Sequence, residues 1–147
     1  MRVKEVMIRE VTTLSVNMSV KEAAKKIFDM EISGLPVVDE AGRLVGMFTE
    51  KGILKAILPS YVEKVGKFIY EEDPKTIRKK VEALNSLKVK DLMRTEVVTV
   101  GEETSLYETA RLMLTQRARR VPVIDKENKI VGIVARCDIV KALTREA

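Results

Sequence analysis

The stretch Arg119–Asp138, RRVPVIDKENKIVGIVARCD, decides the fold of this chain. It contains two apolar runs of strand length, Val121–Ile124 and Ile130–Val134, and the residues between them are polar and typical of a turn. A proline stands near the start of the first run, where a missing N–H does least harm to a strand ladder. Asp138 follows at the expected start of a helix. The stretch therefore predicts a β-hairpin and a helix, with a carboxylate and several cations at the open end of the hairpin, as a nucleotide site needs.

The same pattern occurs earlier in the chain. With a shift of 86 residues and no gap, Val3–Ile57 aligns with Val89–Leu143, and 17 of the 55 aligned positions are identical. Agreement over a whole unit indicates an internal repeat. Each copy has the order β–α–β–β–α, and a unit of that size is too small to bury a good core alone. We therefore predict an α/β (α+β) fold in which two tandem β-α-β-β-α repeats pack together with pseudo-two-fold symmetry.

Three parts follow along the chain. We predict repeat one over residues 1–58, a helical linker over 59–88 and repeat two over 89–147. Within repeat one we expect a lead-in at Val3–Met7, a brief strand at Val11–Leu14, and a helix that Ser19 caps and Gly34 ends. The apolar positions expected on the inner faces of the two equivalent helices are Ala23, Ala24, Ile27 and Met30 in repeat one and Ala110, Met113 and Leu114 in repeat two. In the linker we predict two helices broken at Asp73-Pro74, the second of them, Thr76–Leu87, an amphipathic helix that lies on the module.

Composition excludes several classes of protein. There is no histidine and the single cysteine is Cys137, so zinc chemistry, histidine-based catalysis and an internal disulfide have no residues to use, and we expect no metal site. The lone thiol favours a reducing, cytoplasmic location. No apolar run is long enough for a membrane span, and no glycine-rich phosphate loop is present. The net charge of +5, from 27 Lys and Arg against 22 Asp and Glu, is mild and favours attraction of anions in general.

Three features of the sequence together resemble a CBS domain. They are a strand with the pattern hydrophobic-Pro-Val-hydrophobic-Asp, a second strand with a central glycine, and the lead-in Val89–Met93. Both copies match, so the resemblance covers nearly the whole chain as a tandem CBS pair. It implies a regulatory module, not an enzyme, that binds an adenosine-containing ligand such as AMP, ADP, ATP or S-adenosylmethionine in clefts between the copies. It also implies a homodimer formed through the helices and an output directed to a target protein that the sequence does not identify.

The resemblance places the stronger site in repeat two. There Asp138 would accept hydrogen bonds from the ribose hydroxyls, Thr99 would line the base and ribose side, and arginines would lie near phosphate, whose oxygens suit a forked guanidinium. The predicted nucleotide-binding residues are Asp138, Thr99, Val97, Val98, Arg119, Arg120, Val121, Pro122 and Arg136. The structural alternatives are a helix-capping aspartate, an ordinary strand threonine, a solvated arginine loop and, for Cys137, a small apolar helix residue.

Repeat one has complementary differences. Thr49 keeps the hydroxyl that Ala135 lacks, whereas Gly52 stands where the ribose-binding aspartate would be. We therefore expect a weaker second site there, or a site for another ligand. Its predicted residues are Thr13, Ser33, Gly34, Leu35, Pro36 and Thr49.

Two other functions stay open from the sequence. One is nucleic-acid binding through the basic segments Lys75–Lys80, Lys88, Lys90 and Arg117–Arg120, although no aromatic stacking platform accompanies them. The other is a structural dimerisation module whose clefts are vestigial.

Overall fold

The structure is a computed structural model, and it describes residues 1–58 and 74–146. Its helices and strands are β1 (Leu14–Ser15), α1 (Val20–Asp29), β2 (Gly34–Val38), β3 (Leu44–Thr49), α2 (Glu50–Ile57), α3 (Pro74–Ala83), α4 (Val89–Leu92), α5 (Leu106–Thr115), β4 (Arg120–Ile124), β5 (Ile130–Ala135) and α6 (Arg136–Glu146), with short 3-10 turns at Val3–Glu5 and Leu84–Ser86. Strands β1, β2 and β3 form one sheet in that order, and β4 pairs with β5 in an antiparallel hairpin. The predicted mixture of helices and strands and both predicted hairpins are confirmed.

A serine N-cap starts the helix before each hairpin. The Ser19 hydroxyl accepts a hydrogen bond from the Glu22 N–H in α1, and the Ser105 hydroxyl accepts one from the Glu108 N–H in α5, both at 3.1 Å. Each bond satisfies an N–H that would otherwise lack a partner at the start of a helix. The predicted cap at Ser19 is confirmed. The sequence leaves Thr104 and Ser105 as alternative caps of the equivalent helix, and the structure has Ser105.

The chain forms two compact units that do not coincide with the two sequence repeats. The first unit contains Met1–Thr12, Val38–Val45 and Glu96–Ala147, and the second contains Thr13–Val37 and Gly46–Thr95. Each repeat therefore places its lead-in in the unit that holds most of the other repeat. The boundaries at 58 and 88 refer to the sequence repeats and stay a prediction.

Backbone hydrogen bonds attach the first lead-in to the first unit. The Val3 N–H donates to the Thr104 carbonyl at 2.9 Å, and the Ile8 N–H donates to the Ile133 carbonyl at 2.8 Å. An exposed ion pair of 2.6 Å joins the Lys4 ammonium to the Glu103 carboxylate. The hydrogen bond within this pair raises the pKa of Lys4 and lowers the pKa of Glu103. The side chain of Val3 is completely buried in the core of this unit.

The second lead-in is attached to the second unit in the same way. The Val89 N–H donates to the Met18 carbonyl at 2.8 Å, and the Val20 N–H donates to the Leu87 carbonyl at 3.0 Å. Burial of apolar side chains supplies the main stabilisation of each unit. The first core contains Val3, Met7, Val100, Leu106, Met113, Ala118, Val121, Val123, Val134 and Ile139. The buried apolar residues of the second unit are Leu14, Val20, Ala23, Ile27, Leu35, Val37, Met47, Phe48 and Val89.

Several local predictions are wrong. The strand predicted at Val11–Leu14 is only Leu14–Ser15. Met30 is exposed because α1 ends at Asp29 and Met30 is its C-cap, and Gly34 opens β2 instead of ending the helix. Leu114 is exposed because the buried face of α5 follows Leu106, Thr109 and Met113, and the next residue is turned about 100° away from it.

The linker prediction is confirmed only in part. Its second helix exists as α3, which starts two residues earlier than predicted and gives way to the 3-10 turn Leu84–Ser86. Ile77 and Val81, expected to pack on the module, are exposed, whereas Leu84 and Leu87 are half-buried. The first predicted linker helix lies outside the described residues.

Candidate functional site

All of the site residues predicted for repeat two lie in the first compact unit. In the β4–β5 hairpin, Arg120 pairs with Ala135, the last residue of β5. The Arg136 N–H then donates a hydrogen bond to the Arg119 carbonyl at 3.1 Å. The open end of the hairpin therefore brings the backbones of three arginines to the start of α6, as the sequence predicted.

Asp138 occupies the third position of α6, so it is not the N-cap of that helix. One of its carboxylate oxygens, Oδ2, accepts a hydrogen bond of 2.9 Å from the N–H of Ala135, the residue that precedes the helix. This is the carboxylate half of a capping box, and Ala135 has no hydroxyl to supply the other half. A carboxylate can accept several hydrogen bonds, so the half-buried Asp138 can cap the helix and still receive a ligand.

Thr99 and its neighbours Val97 and Val98 are half-buried and lie outside any regular strand. The next residue, Val100, donates its N–H to the Pro122 carbonyl at 3.2 Å and accepts a hydrogen bond from the Ile124 N–H at 2.9 Å. This single parallel bridge sets the segment beside β4. The structure therefore places Thr99 next to the residue that bonds to Pro122, but the strand expected there is reduced to one residue.

The three arginines carry positive charge that nothing in the described residues neutralises. Within 1–58 and 74–146, the guanidinium groups of Arg119, Arg120 and Arg136 form no ion pair and no hydrogen bond. Arg119 and Arg136 are exposed, and Arg120 is half-buried. Arg136 also stands in the first turn of α6, where the helix dipole disfavours a cation. Three guanidiniums with open donors, on residues whose backbones meet at one end of the hairpin, are suited to an anionic ligand.

The residues predicted for the repeat-one site all lie in the second compact unit. The Glu50 N–H donates to the Ser33 carbonyl at 2.9 Å, which reproduces the bond between Arg136 and Arg119. Thr49 is the N-cap of α2, and its hydroxyl accepts a hydrogen bond of 3.2 Å from the Gly52 N–H. Repeat one therefore keeps the hydroxyl half of the capping box, and repeat two keeps the carboxylate half.

Two glycines of repeat one are closely surrounded by neighbouring atoms. A Cβ on Gly34 would lie 2.7 Å from the Phe48 carbonyl oxygen and 2.8 Å from Cγ2 of Thr49, so no side chain fits there without rearrangement. A Cβ on Gly52 would lie 3.1 Å from the Leu92 carbonyl oxygen, which is a tight contact. The position that holds Arg120 in repeat two is thus restricted to glycine in repeat one, whereas a side chain at the position of Asp138 fits only if the Leu92 carbonyl shifts by a few tenths of an ångström.

The other predicted residues of repeat one lie close to these glycines. Leu35 and Pro36 follow Gly34 in β2 and are buried, whereas Thr13, Ser33 and Thr49 are half-buried. Thr13 immediately precedes β1, the strand next to β2. Sequence reasoning missed Glu50 as a site residue, although the alignment of the repeats pairs this carboxylate with Arg136 and therefore shows a reversal of charge.

The basic segments considered for nucleic acid fall in different units. The second unit contains Lys75–Lys80, Lys88 and Lys90, whereas the first contains Arg117–Arg120. Among the described residues, no group of three His, Cys, Asp or Glu side chains is arranged to hold a metal ion. No helix in the same ranges combines the length and apolar character needed to cross a membrane.

Comparison with known proteins identifies both repeats. The CBS domain family matches residues 3–59 and 89–145. Among curated relatives, inosine-5'-monophosphate dehydrogenase of Methanocaldococcus jannaschii is 34% identical over 137 residues, which are 93% of this chain but 22% of that protein. CBSX1, a chloroplastic CBS domain-containing protein of Arabidopsis thaliana, is 31% identical over 130 residues, which are 84% of this chain and 55% of that protein. The chain thus spans between about a fifth and about half of the length of the first curated relatives that it matches.

Solved structures with similar folds include complexes with adenosine compounds. The crystal structure of CBSX2 in complex with AMP has a TM-score of 0.76 and 26% sequence identity, with 99% of this chain and 97% of that chain covered. The CBS domain pair of protein MJ0100, in complex with 5'-methylthioadenosine and S-adenosyl-L-methionine, has a TM-score of 0.73 and 28% identity, with 100% of this chain and 98% of that chain covered. The family match to both repeats, together with this likeness over the whole chain, shows that the protein belongs to the CBS-domain family and carries two CBS domains in tandem.

Proposed function

We propose that this chain is a regulatory module that binds an adenosine nucleotide at the first-unit site around Asp138. The observation that carries the proposal is the set of three arginines without protein partners beside a carboxylate that keeps free acceptor capacity. The AMP held by CBSX2 and the adenosine thioether and sulfonium compounds held by MJ0100 support an adenosine derivative as the ligand class.

Each part of a nucleotide has a suitable partner in this unit. The free lone pairs of Asp138 suit the ribose hydroxyls, which can donate two hydrogen bonds to one carboxylate. The phosphate of a nucleotide is attached next to its ribose, and Arg136 stands two residues from Asp138 in the same helical turn. Thr99 with Val97 and Val98 would line the base, since their segment runs beside β4. The three guanidiniums would replace the water around the phosphate by charge-assisted hydrogen bonds.

We propose that binding has a regulatory result and that the chain catalyses no reaction itself. A ligand shifts a conformational equilibrium only through its different affinity for the two states, and a partner protein that prefers one state then senses the ligand. The exposed single thiol of Cys137 is compatible with the cytoplasmic location that the sequence predicts.

The test is a thermal-shift and calorimetric titration of wild type and Asp138→Ala with AMP, ADP, ATP and S-adenosylmethionine. At a free concentration of 100 times Kd, a bound ligand stabilises the native state by roughly 2.7 kcal/mol, which corresponds to a rise in Tm on the order of 5 to 10 °C. We expect such a rise with at least one 5'-phosphate in wild type and its loss in Asp138→Ala.

Asp91→Ala is the matched control for this experiment. Asp91 occupies the third position of α4 and accepts a hydrogen bond of 2.8 Å from the Lys88 N–H, so it has the same capping role outside the proposed nucleotide site. Both substitutions should lower stability by about 1 kcal/mol, but only Asp138→Ala should abolish the ligand response. A wild type that binds none of the four compounds, or an Asp138→Ala variant that binds them unchanged, would contradict the proposal.

We further propose that the module forms a homodimer through the outer faces of its helices. In the first unit, α5 and α6 contact each other and expose Tyr107, Leu114 and Val140, of which Leu114 is 73% accessible. In the second unit, Phe28 and Leu54 occupy the positions matched to Leu114 and Val140 and are also exposed. Apolar side chains exposed at equivalent positions in both repeats are typical of an association surface, and a second copy would offer the same chemistry.

Sedimentation velocity measures this association directly. We expect wild type to sediment as a dimer and Leu114→Glu to sediment as a monomer, because the substitution places a charge at the proposed interface. The control is Ile8→Glu, which changes an exposed apolar residue that is not part of a helix. A monomeric wild type, or a Leu114→Glu variant that stays dimeric, would contradict the proposal.

A further inference from the structure

The two sites differ in charge at three matched positions. Arg119, Arg120 and Arg136 in repeat two correspond to Ser33, Gly34 and Glu50 in repeat one. At these three positions the first-unit site has three cations, whereas the second-unit site has one carboxylate and no cation. Lys51, which is matched to Cys137 and exposed, is the cation next to Glu50 in the second unit.

Glu50 occupies the same local position in its unit as Arg136 does in the first unit. Both are the first residue of the helix that follows the hairpin. Each donates its N–H to the carbonyl of the residue just before the hairpin's first strand. The distance is 2.9 Å from Glu50 to Ser33 and 3.1 Å from Arg136 to Arg119. Glu50 is exposed, and within the described residues its carboxylate forms no ion pair. Its charge is therefore available to a ligand that occupies this end of the second unit.

We infer that the two sites select ligands of opposite charge, with Glu50 as a specificity-determining residue. The first-unit site takes adenosine 5'-phosphates, and the second-unit site takes an adenosine derivative whose 5' substituent carries no negative charge. The inference rests on the proposed function, because it assigns a different ligand class to each of two adenosine sites.

Electrostatics decides between these ligand classes. A phosphate monoester carries between one and two negative charges at neutral pH, so it is attracted by Arg136 and repelled by Glu50. A thioether at the 5' position carries no charge and a sulfonium carries a positive one, so neither is repelled by Glu50. The second unit also lacks the carboxylate that Asp138 supplies in the first, so a phosphate there has repulsion to overcome without that ribose contact.

Packing preserves this difference between the sites. Gly34 cannot take a side chain because its Cβ would lie 2.7 Å from a backbone oxygen, so an arginine matching Arg120 is excluded. Ser33 and Glu50 have no such restriction and are respectively half-buried and exposed. The charge of the second-unit site can therefore be changed at these two positions without entry into the core.

The experiment uses Asp138→Ala as a background in which the proposed nucleotide site is disabled. Calorimetric titration then measures the affinity of the remaining site for AMP and for 5'-methylthioadenosine. We expect 5'-methylthioadenosine to bind at least tenfold more tightly than AMP, since a charged hydrogen-bond partner changes affinity by about that factor or more. Adding Glu50→Arg should raise the affinity for AMP on the order of tenfold and leave the affinity for 5'-methylthioadenosine within about twofold.

Two variants separate selectivity from a general effect on folding. Glu22→Arg reverses the charge of another exposed acidic residue in the first turn of a helix of the same unit, and it should leave both affinities unchanged. Glu50→Gln removes the charge with little change in shape. In the Asp138→Ala background, Glu50→Gln should raise the affinity for AMP, but by less than Glu50→Arg does.

The outcomes distinguish this inference from the proposed function. If wild type binds AMP through Asp138 but Glu50→Arg leaves the ratio of the two affinities unchanged, the charge selection is wrong and the nucleotide module stands. The same conclusion follows if AMP and 5'-methylthioadenosine compete for the Asp138 site and neither binds the Asp138→Ala protein. If wild type binds no adenosine compound, the proposed function and the inference are both overturned.

Discussion

Thr49 and Asp138 show how one capping arrangement is divided between two repeats. A complete capping box pairs an N-cap hydroxyl with the N–H of the third helical residue, and a carboxylate at that third residue with the N–H of the N-cap. Repeat one has only the first bond, from Gly52 to Thr49, and repeat two has only the second, from Ala135 to Asp138. Each helix therefore lacks one of the two bonds, and each retains a different polar group at its start.

This division leads to a prediction about stability. Thr49→Ala should lower the free energy of unfolding by about 1 kcal/mol, because the Gly52 N–H loses its acceptor. Ala135→Thr should raise it by a comparable amount, up to about 1 kcal/mol, because a hydroxyl there can accept from the Asp138 N–H as Thr49 does from Gly52. Urea unfolding of both variants measures the two changes, and an Ala135→Thr protein no more stable than wild type would refute the second.

Single residues of the site could be predicted to different extents. The sequence predicted the Asp138 carboxylate and the Arg119–Arg120 pair as site residues, because their position beside a hairpin and a helix start is visible in the order of residues, and their binding role stays a prediction. It placed the start of the last helix at about Cys137, whereas the helix begins at Arg136 and Asp138 is its third residue. The pattern could not show this, since Ala135 and Arg136 have no strong preference for either side of a helix boundary.

At the scale of elements, the long helices and the hairpins could be predicted and the short strands could not. β2, β3, β4 and β5 each contain five or six residues with a continuous apolar pattern. β1 has two residues, and the equivalent segment of repeat two has a single bridge at Val100. Pairing over so few residues depends on the neighbouring strand and leaves no periodic signal in the sequence.

The lead-ins are the elements whose partners were least predictable. Val3 and Val89 are aligned in the repeat and are both fully buried, but each contributes to a unit formed mainly by the other repeat. A five-residue segment with three apolar positions fits either core by composition. Only the hydrogen bonds, such as that from Val3 to Thr104, distinguish the two arrangements.

The placement of each lead-in in the other repeat's unit can be tested by measuring local stability. Val3→Ala and Val89→Ala should each cost about 2 kcal/mol, because each removes two buried methyl groups. Hydrogen exchange should then become faster in α5 and α6 for Val3→Ala and in α1 and α2 for Val89→Ala. The two variants control for each other, and faster exchange in α1 with unchanged exchange in α5 for Val3→Ala would show that the lead-in belongs to its own repeat.

At the scale of the whole molecule, the internal repeat made the family and the order of elements predictable. The alignment of Val3–Ile57 with Val89–Leu143 needed no gap, so every element of one copy supported the matching element of the other. The division into compact units was not predictable in the same way. It depends on which lead-in pairs with which hairpin, and two similar copies offer almost the same apolar surface to both lead-ins.

The placement of each lead-in in the unit formed mainly by the other repeat also has a consequence for folding during synthesis. Every segment of the second unit lies between Thr13 and Thr95, so this unit can close while the ribosome is still making the remainder of the chain. The first unit needs both the first residues and the last ones, since Val3 and Met7 pack with Val134 and Ile139. The lead-in Val3–Met7 is therefore synthesised before the rest of its unit, and it reaches its buried position only when α6 has emerged.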